Sequence, residues 1–190
     1  TAPQDLKYAG EKTRLEVGRN CKIRECVTLN RGTTASQLTK IGDNCLFMAY
    51  SHVAHDCIIG NGVIAANSVA IAGHCEVGDG TVLGGMVGLH QFVKVGKLCM
   101  VGAGAMVPMD IPPFTLAWGD RARLSGLNLL GLKRHGYKAS DVTVIKAVYR
   151  DLYNSTTPLK QLLPQLLSQH TAPAAQAFLA FGSKRARGLV

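Results

Sequence analysis

The chain has 190 residues, a formal charge of +9 and a hydrophobic fraction of 47%, which is ordinary for a soluble globular protein and enough for a substantial core. No run of eighteen apolar residues occurs, which excludes a membrane-crossing helix, and Thr1-Ala2-Pro3-Gln4-Asp5 offers neither the basic nor the apolar region of a signal peptide. The positive charge would suit nucleic acid, but no ladder of stacking aromatics or nucleic-acid motif accompanies it, so an acidic protein or a phosphorylated small molecule fits at least as well.

Residues Thr1 to Arg14 are aperiodic, and Asp5-Leu6-Lys7-Tyr8-Ala9-Gly10-Glu11 reads as a polar excursion. The chain has no initial methionine and enters almost directly into repeat-like sequence, so the expectation is that it starts inside a longer polypeptide.

From Val17 to Val107 every sixth residue is apolar: Val17, Ile23, Leu29, Ala35, Ile41, Phe47, Val53, Ile59, Ala65, Ile71, Val77, Leu83, Leu89, Val95, Val101 and Val107. With about half the chain apolar, chance would give this register about once in 10^5. Glycine follows the apolar stop at Gly18, Gly42, Gly60, Gly78, Gly84, Gly96 and Gly102. A small or slim residue recurs four places after the stop, as at Cys57, Val69, Thr81 and Ala105. This period predicts a parallel β-helix of short strands and tight corners, with the stops pointing inward and three hexads to a coil. Residues eighteen apart then stack at the ~4.8 Å strand spacing. Glycine is expected to supply corner backbone angles that a Cβ would oppose.

A second excursion is expected over Arg31 to Leu38, where Gly32-Thr33-Thr34-Ala35-Ser36 weakens the pattern although the register survives. Regular coils follow from Ile41 to Val107. Five of the six cysteines, Cys21, Cys45, Cys57, Cys75 and Cys99, fall four places after a stop, with Cys26 elsewhere. They read as small interior packers rather than disulfides or metal ligands, and free packed thiols fit a reducing cytoplasm. Pro108 and Asp110-Ile111-Pro112-Pro113 end the rod, since proline cannot donate to the ladder. Outward residues such as Met48, Met86 and Leu98 want cover.

Beyond Arg121 the pattern turns helical, which divides the chain into a hexapeptide-repeat rod over 1–120 and a small α-helical domain over 121–190. Leu127, Leu130 and Leu132 belong to a first helix closed by Gly136. Ser140 is placed to cap a second, with Val142, Ile145, Val148, Tyr149 and Leu152 on its apolar face. Thr157-Pro158 opens a third that contains Pro164, and Pro173 begins a fourth through Phe178 and Phe181. From Arg121 onward eleven Lys and Arg face only Asp141 and Asp151, and the end, Lys184-Arg185-Ala186-Arg187, reads as a solvated tail or a docking patch.

A rod has little concavity of its own, so a site must come from stacked side chains or from a seam between chains. Four histidines lie within it, His52, His55, His74 and His90, none at an inward stop. His55 stacks on Gly73 one coil later, which brings His74 close, and Gln91 stacks next and brings His90 close. The reading is a column of imidazoles on one side. Two chemistries compete there. Three histidines and an open position could hold zinc, as in hexapeptide-repeat carbonic anhydrases. Alternatively one histidine is a general base, which contributes ~10²–10⁴-fold when it reaches a substrate hydroxyl. The carboxylate in His55-Asp56 favours the second, although neighbours on a strand point to opposite faces.

His52-Val53-Ala54-His55-Asp56-Cys57, Ala72-Gly73-His74 and Leu89-His90-Gln91-Phe92 resemble the UDP-N-acetylglucosamine O-acyltransferases that begin lipid A synthesis. Gln4-Asp5-Leu6-Lys7-Tyr8, Ile23-Arg24-Glu25, Asp110-Ile111-Pro112-Pro113, Leu127-Asn128-Leu129 and Gly131-Leu132-Lys133-Arg134 match the family in order. The resemblance covers essentially the whole chain, with roughly 70 residues of opening coils absent before Thr1. It implies a left-handed parallel β-helix with a helical C-terminal domain, a cytoplasmic homotrimer with sites between rods, and transfer of a 3-hydroxyacyl chain from acyl carrier protein to the glucosamine 3-hydroxyl of UDP-N-acetylglucosamine. No cofactor, metal, nucleic acid or stable membrane insertion is implied; the acyl carrier protein thioester is the co-substrate.

By the same resemblance His55 is the general base, Asp56 its orienting partner, and the Gly73 N–H the donor to the thioester oxyanion. Gln4, Asp5, Lys7, His52, His74, His90 and Gln91 match positions lining the sugar, phosphate and carrier cleft, and Asn128 and Arg134 match nucleotide-binding positions. Four residues depart from the family pattern. Leu130 and His135 stand where an acidic residue and a second arginine are common, Asn30 replaces a histidine, and Ala103 replaces a glycine at the far end of the acyl groove. Beside this reading stand a zinc-dependent carbonic anhydrase, the related N-acyltransferase of the same pathway, and a non-catalytic trimeric scaffold. The Asp110–Pro113 exit and the helical tail favour the O-acyltransferase over its N-acyl relative.

Overall fold

The computed structural model describes residues 1–183 and 187–190; Lys184, Arg185 and Ala186, part of the expected basic tail, lie outside the described residues. The hexad period becomes a three-sided parallel β-helix. One face stacks Arg14–Val17, Leu38–Ile41, Ile58–Ile59, Glu76–Val77 and Lys94–Val95. A second stacks Lys22–Ile23, Leu46–Phe47, Ile64–Ala65, Val82–Leu83, Met100–Val101 and Thr115–Trp118, with Arg123–Leu127 added antiparallel at its end. The third stacks Thr28–Leu29, His52–Val53, Ala70–Ile71, Gly88–Leu89 and Met106–Val107.

Register follows the repeat. Ile59 pairs with Val77 and Val77 with Val95, each one coil of eighteen residues. The first coil differs, because Lys22 pairs with Leu46 and Thr28 with His52, both 24 residues apart (46 − 22 and 52 − 28). The additional six residues are the expected excursion. Ala35 keeps the hexad register in sequence but stands exposed in that loop, so a residue in register need not be a stop.

From Ile41 onward the stops are buried, with Phe47, Val53, Ala65, Ile71, Leu83 and Val101 all at 0–1% exposure along with Ile41. Val17 and Ile23, in the first coil of this chain, are 41% and 46% exposed. Cys45, Cys57, Cys75 and Cys99 fill the interior as free thiols, Cys21 is half-buried in the first coil, and Cys26 is exposed. Burial pushes the Cys45 thiol up to about 11 and that of Cys99 up to about 12, which makes both poor nucleophiles.

The glycines after the stops serve a different purpose from the one expected. A Cβ on Gly78 would stand 2.5 Å from the backbone nitrogen of Lys97, and one on Gly96 would stand 2.4 Å from that of Pro113. Glycine is needed there because the next coil passes so close. The left-handed conformation falls instead three places after most stops, at Asn20, Cys26, Asn44, Tyr50, Asp56, Ser68, His74, Met86, Phe92 and Leu98, all with φ between 55° and 68°. Asp56 and His74 therefore sit at strained corners.

The antiparallel pair Thr115–Trp118 and Arg123–Leu127 spans the boundary expected after Asp120, and Leu127 ends a strand rather than starting a helix. Four helices follow: α1 (Leu129–Arg134), α2 (Ala139–Tyr153), α3 (Leu159–Gln169) and α4 (Pro173–Ser183). Gly136, at φ +76, closes the turn after α1. Ser140 is not the cap of α2. Lys138 holds that position, its N–H donating to Asp141 at 2.9 Å, and Ser140 lies in the first turn. Ile145, Val148 and Leu152 of α2 meet Leu162, Leu163 and Leu166 of α3 and Phe178 and Leu179 of α4 in a second core. Leu98 and Phe114 of the rod complete it, so the cover that Leu98 wants comes from the helices. No described helix is long and apolar enough to cross a membrane.

Arg187 is exposed yet tied down. Its N–H donates to an Asp110 oxygen at 3.0 Å and its Nε to the Pro108 carbonyl at 2.8 Å, while Asp110 itself is fully buried.

Candidate active site

The corner after Val53 carries Ala54, His55 and Asp56, and the corner one coil later carries Ala72, Gly73 and His74. The two are stacked, since the His74 N–H donates to the His55 carbonyl at 3.0 Å and the Phe92 N–H to that of Gly73 at 3.1 Å. On a flat strand His55 and Asp56 would diverge. At a corner where Asp56 takes φ 60° they converge, and His55 Nδ1 lies 2.8 Å from Asp56 Oδ2.

The Asp56 side chain has no solvent exposure, a costly position for a charge unless it is fully hydrogen-bonded. It is. Oδ2 accepts from the Thr33 hydroxyl at 2.6 Å as well as facing His55, and Oδ1 accepts from the Thr33 N–H at 2.9 Å, the Ser36 N–H at 3.3 Å and the Ser36 hydroxyl. Burial works against ionisation, but the hydrogen bonds from Ser36, Thr33 and His55 outweigh it and hold the carboxyl well below the usual carboxylate range. An ionised carboxylate only accepts, so His55 Nδ1 must donate. In the neutral ring Nε2 then carries the lone pair, the form that can take a proton from a hydroxyl.

The ring lies over Gly73, whose N–H donates to nothing among the described residues. His74 meets His55 edge to face at 5.1 Å, and its Nε2 lies 3.9 Å from Asp56 Oδ2. The expected column of imidazoles stops there. Phe92, not His90, stacks on His74, with ring centroids 4.6 Å apart and planes 6° from parallel.

The other predicted residues lie apart from this cluster or at its edge. His52 is held through Nδ1, 2.7 Å from the Thr28 hydroxyl, and burial, then the neighbouring His55, push its pKa down. His90 turns Nδ1 to the Gln91 carbonyl at 3.2 Å and lines a cavity of about 580 Å³ with Met106, Arg121 and Arg187. Gln4, Asp5 and Lys7 sit in the N-terminal excursion, where an Asp5 oxygen accepts from the Lys7 N–H at 2.9 Å. Asn128 and Arg134 line a different cavity of about 710 Å³, with Leu130 and His135 but without His55, Asp56 or His74. The Asn128 side chain is already engaged, accepting from the Gly131 N–H and donating to the Leu98 carbonyl, both at 2.9 Å. Ala103 is exposed on another corner, in the column of Asn67 and Gly85.

His55, Asp56 and His74 each place a potential ligand atom within 4.8 Å of the others. In this arrangement Asp56 Oδ2 is already the acceptor for His55 and Thr33, which suits proton transfer better than metal ligation. Sequence reasoning missed Thr33 and Ser36, because they lie in the excursion where the period gives no guide to facing.

Comparison with known proteins agrees across the chain. A family model described as UDP-N-acetylglucosamine O-acyltransferase, domain 2, matches residues 110–190, and one for the bacterial transferase hexapeptide matches residues 38–73. The acyl-[acyl-carrier-protein]–UDP-N-acetylglucosamine O-acyltransferase of Nautilia profundicola is 51% identical over 166 residues, 87% of this chain and 64% of that protein. The protein of the same name from Aliarcobacter butzleri is 45% identical over 190 residues, 100% of this chain and 73% of its own. The chain thus spans just under two thirds of the first of these relatives and somewhat more of the second. The crystal structure of UDP-N-acetylglucosamine O-acyltransferase from Moraxella catarrhalis superposes with a TM-score of 0.95 at 36% identity, covering 100% of this chain and 74% of that one.

Proposed function

The chain belongs to the UDP-N-acetylglucosamine O-acyltransferase family, and from that membership we propose that it moves a 3-hydroxyacyl group from acyl carrier protein to the glucosamine 3-hydroxyl of UDP-N-acetylglucosamine, the first step of lipid A synthesis. The observation that carries the proposal is the contact between His55 Nδ1 and the fully buried Asp56 carboxylate at 2.8 Å.

In this mechanism His55 Nε2 takes the proton of the sugar hydroxyl as its oxygen attacks the thioester carbonyl. A carbon–oxygen bond forms, the carbonyl π electrons move onto oxygen, and the Gly73 N–H faces that oxyanion. One such donor is worth about 10²–10³ in rate. Collapse of the adduct breaks the carbon–sulfur bond, and the imidazolium returns the proton to the leaving thiolate. Asp56 keeps Nδ1–H in place and stabilises the cationic ring, so no covalent enzyme intermediate is required.

His52, His74, His90, Gln91, Gln4, Asp5 and Lys7 are assigned to the sugar, phosphate and carrier cleft, and Arg134 with Asn128 to the nucleotide. Arg134 lines an open cavity and a guanidinium suits a pyrophosphate. We further propose a homotrimer working in the cytoplasm, with the acidic carrier meeting the basic helical region. The exposure of Met86 at 63% and Trp118 at 48% supports an assembly that covers them, and four buried free thiols support a reducing compartment.

The test is acyl transfer from 3-hydroxyacyl carrier proteins of several lengths to UDP-N-acetylglucosamine, in wild type and His55→Ala. Transfer by the wild type that collapses in the variant is expected. A folded wild type inactive with every donor overturns the proposal.

A further inference from the structure

We infer that Thr33 and Ser36 are positioning residues for the proposed proton transfer, and that the six extra residues of the first coil serve to bring them onto Asp56. The inference rests on the assignment of His55 as the base and adds the groups that aim it.

Asp56 is an acidic residue at a left-handed corner whose side chain lies wholly out of solvent. Its own corner supplies one donor to the carboxylate, His55 Nδ1. The other donors all come from the excursion: the amide and hydroxyl of Thr33 and the amide and hydroxyl of Ser36. A coil of eighteen residues has no segment there to provide them. The loop is built to hold its position. It turns back at Gly32, where a Cβ would stand 2.2 Å from the Leu38 nitrogen, and closes with the Gln37 N–H donating to the Thr33 carbonyl at 2.7 Å. The Asp56 amide is tied from beneath, donating to the buried Thr39 hydroxyl at 2.8 Å.

The direction of the Thr33 bond is settled by a neighbour. The Ala35 N–H donates to Thr33 Oγ1 at 3.2 Å, so the hydroxyl proton points to Asp56 Oδ2, the oxygen that faces His55. With Oδ1 occupied by three donors and one side of Oδ2 by Thr33, the imidazole has a single approach left. Ser36 is the weaker member, because its hydroxyl also lies 2.9 Å from the Leu38 carbonyl and has one proton to share. Removing the Thr33 hydroxyl opens a second approach to Oδ2, and the base loses its aim without any group touching the acceptor being changed.

The experiment measures kcat and KM for the acceptor in the full chain, for Thr33→Val, Thr33→Ser and Ser36→Ala, and repeats Thr33→Val in an Asp56→Ala background beside His55→Ala. Thr33→Val is expected to lower kcat about tenfold with KM within about twofold. Thr33→Ser should restore most of that loss, and Ser36→Ala should show a smaller fall of the same kind. In the Asp56→Ala background Thr33→Val should cost nothing further, since a group acting through Asp56 has nothing left to act on. Wild-type kcat in Thr33→Val, or an equal loss in both backgrounds, overturns the inference. Should Thr33→Val not fold, Ser36→Ala at an exposed position carries the same comparison in both backgrounds. Full activity in His55→Ala would instead overturn the assignment of the base, whereas an inactive His55→Ala beside a fully active Thr33→Val removes the clamp alone.

Discussion

The His55 ring occupies the space that any side chain at residue 73 would need: a Cβ built on Gly73 would stand 2.7 Å from Cε1 and 2.8 Å from Nε2. The φ at this position is not in the left-handed region, so the glycine is required by the imidazole and not by the backbone. Gly73→Ala is therefore expected to leave the rod folded and to push the ring off its seat. A displacement of about 1 Å in a catalytic group costs on the order of 10² in rate. Steady-state kinetics beside a melting curve checks this: kcat should fall about a hundredfold while Tm moves by only a few degrees. A normal kcat would mean that the ring tolerates the shift.

The hydrogen bonds on Asp56 give stability a pH dependence whose sign can be worked out. Its carboxyl is held below the usual range in the folded chain, so the folded state prefers the ionised form. That contribution is fully present above the unfolded carboxyl pKa of about 3.9 and is lost as pH falls towards the folded value. Asp56→Asn places amide hydrogens against Thr33, Ser36 and His55 and should cost about 2–5 kcal/mol at neutral pH. Denaturant midpoints at pH 7, 5 and below 4 test it. The gap between wild type and variant should narrow as pH falls below about 4, where the unfolded carboxyl takes up its proton. A gap that stays undiminished below about pH 4 would contradict the assignment of an ionised carboxylate.

The rod was legible because its period is a packing rule. Phe47, Val53, Ile71 and Leu83 are both sixth residues and buried ones, and the same rule put Cys45 and Cys99 inside. It failed where one number stands for two geometries. Ala35 satisfies the period in sequence but sits in a loop, and the glycines after the stops answer to close coil contacts rather than to corner angles. The meeting of His55 with Asp56 follows from adjacency only once the corner is known to be left-handed. His90 was misplaced in the column because the stop-plus-three position of its coil belongs to Phe92. Thr33 and Ser36 were illegible, since no periodicity reports which way an aperiodic loop faces.

Asn128 has two duties that can be separated. As the residue before α1 it accepts from the Gly131 N–H, and its Nδ2 reaches the Leu98 carbonyl, so it joins the helices to the rod. A Cβ on Gly131 would stand 2.2 Å from that Nδ2, which shows how closely the amide is enclosed. Losing an N-cap costs about 1 kcal/mol, and loss of the second bond adds a similar amount. Asn128→Ala should thus lower stability by about 2 kcal/mol, and by the proposed nucleotide role it should also raise KM for UDP-N-acetylglucosamine. Asn128→Asp keeps the acceptor for Gly131 while losing the donor to Leu98 and adding a negative charge at the cavity shared with Arg134. It should recover part of the stability but bind the nucleotide worse than Asn128→Ala, because a carboxylate repels a pyrophosphate and competes for Arg134. Chemical denaturation and acceptor KM on the two variants give the answer. If both variants lose stability yet keep wild-type KM, Asn128 is a joint between rod and helices and takes no part in holding the nucleotide.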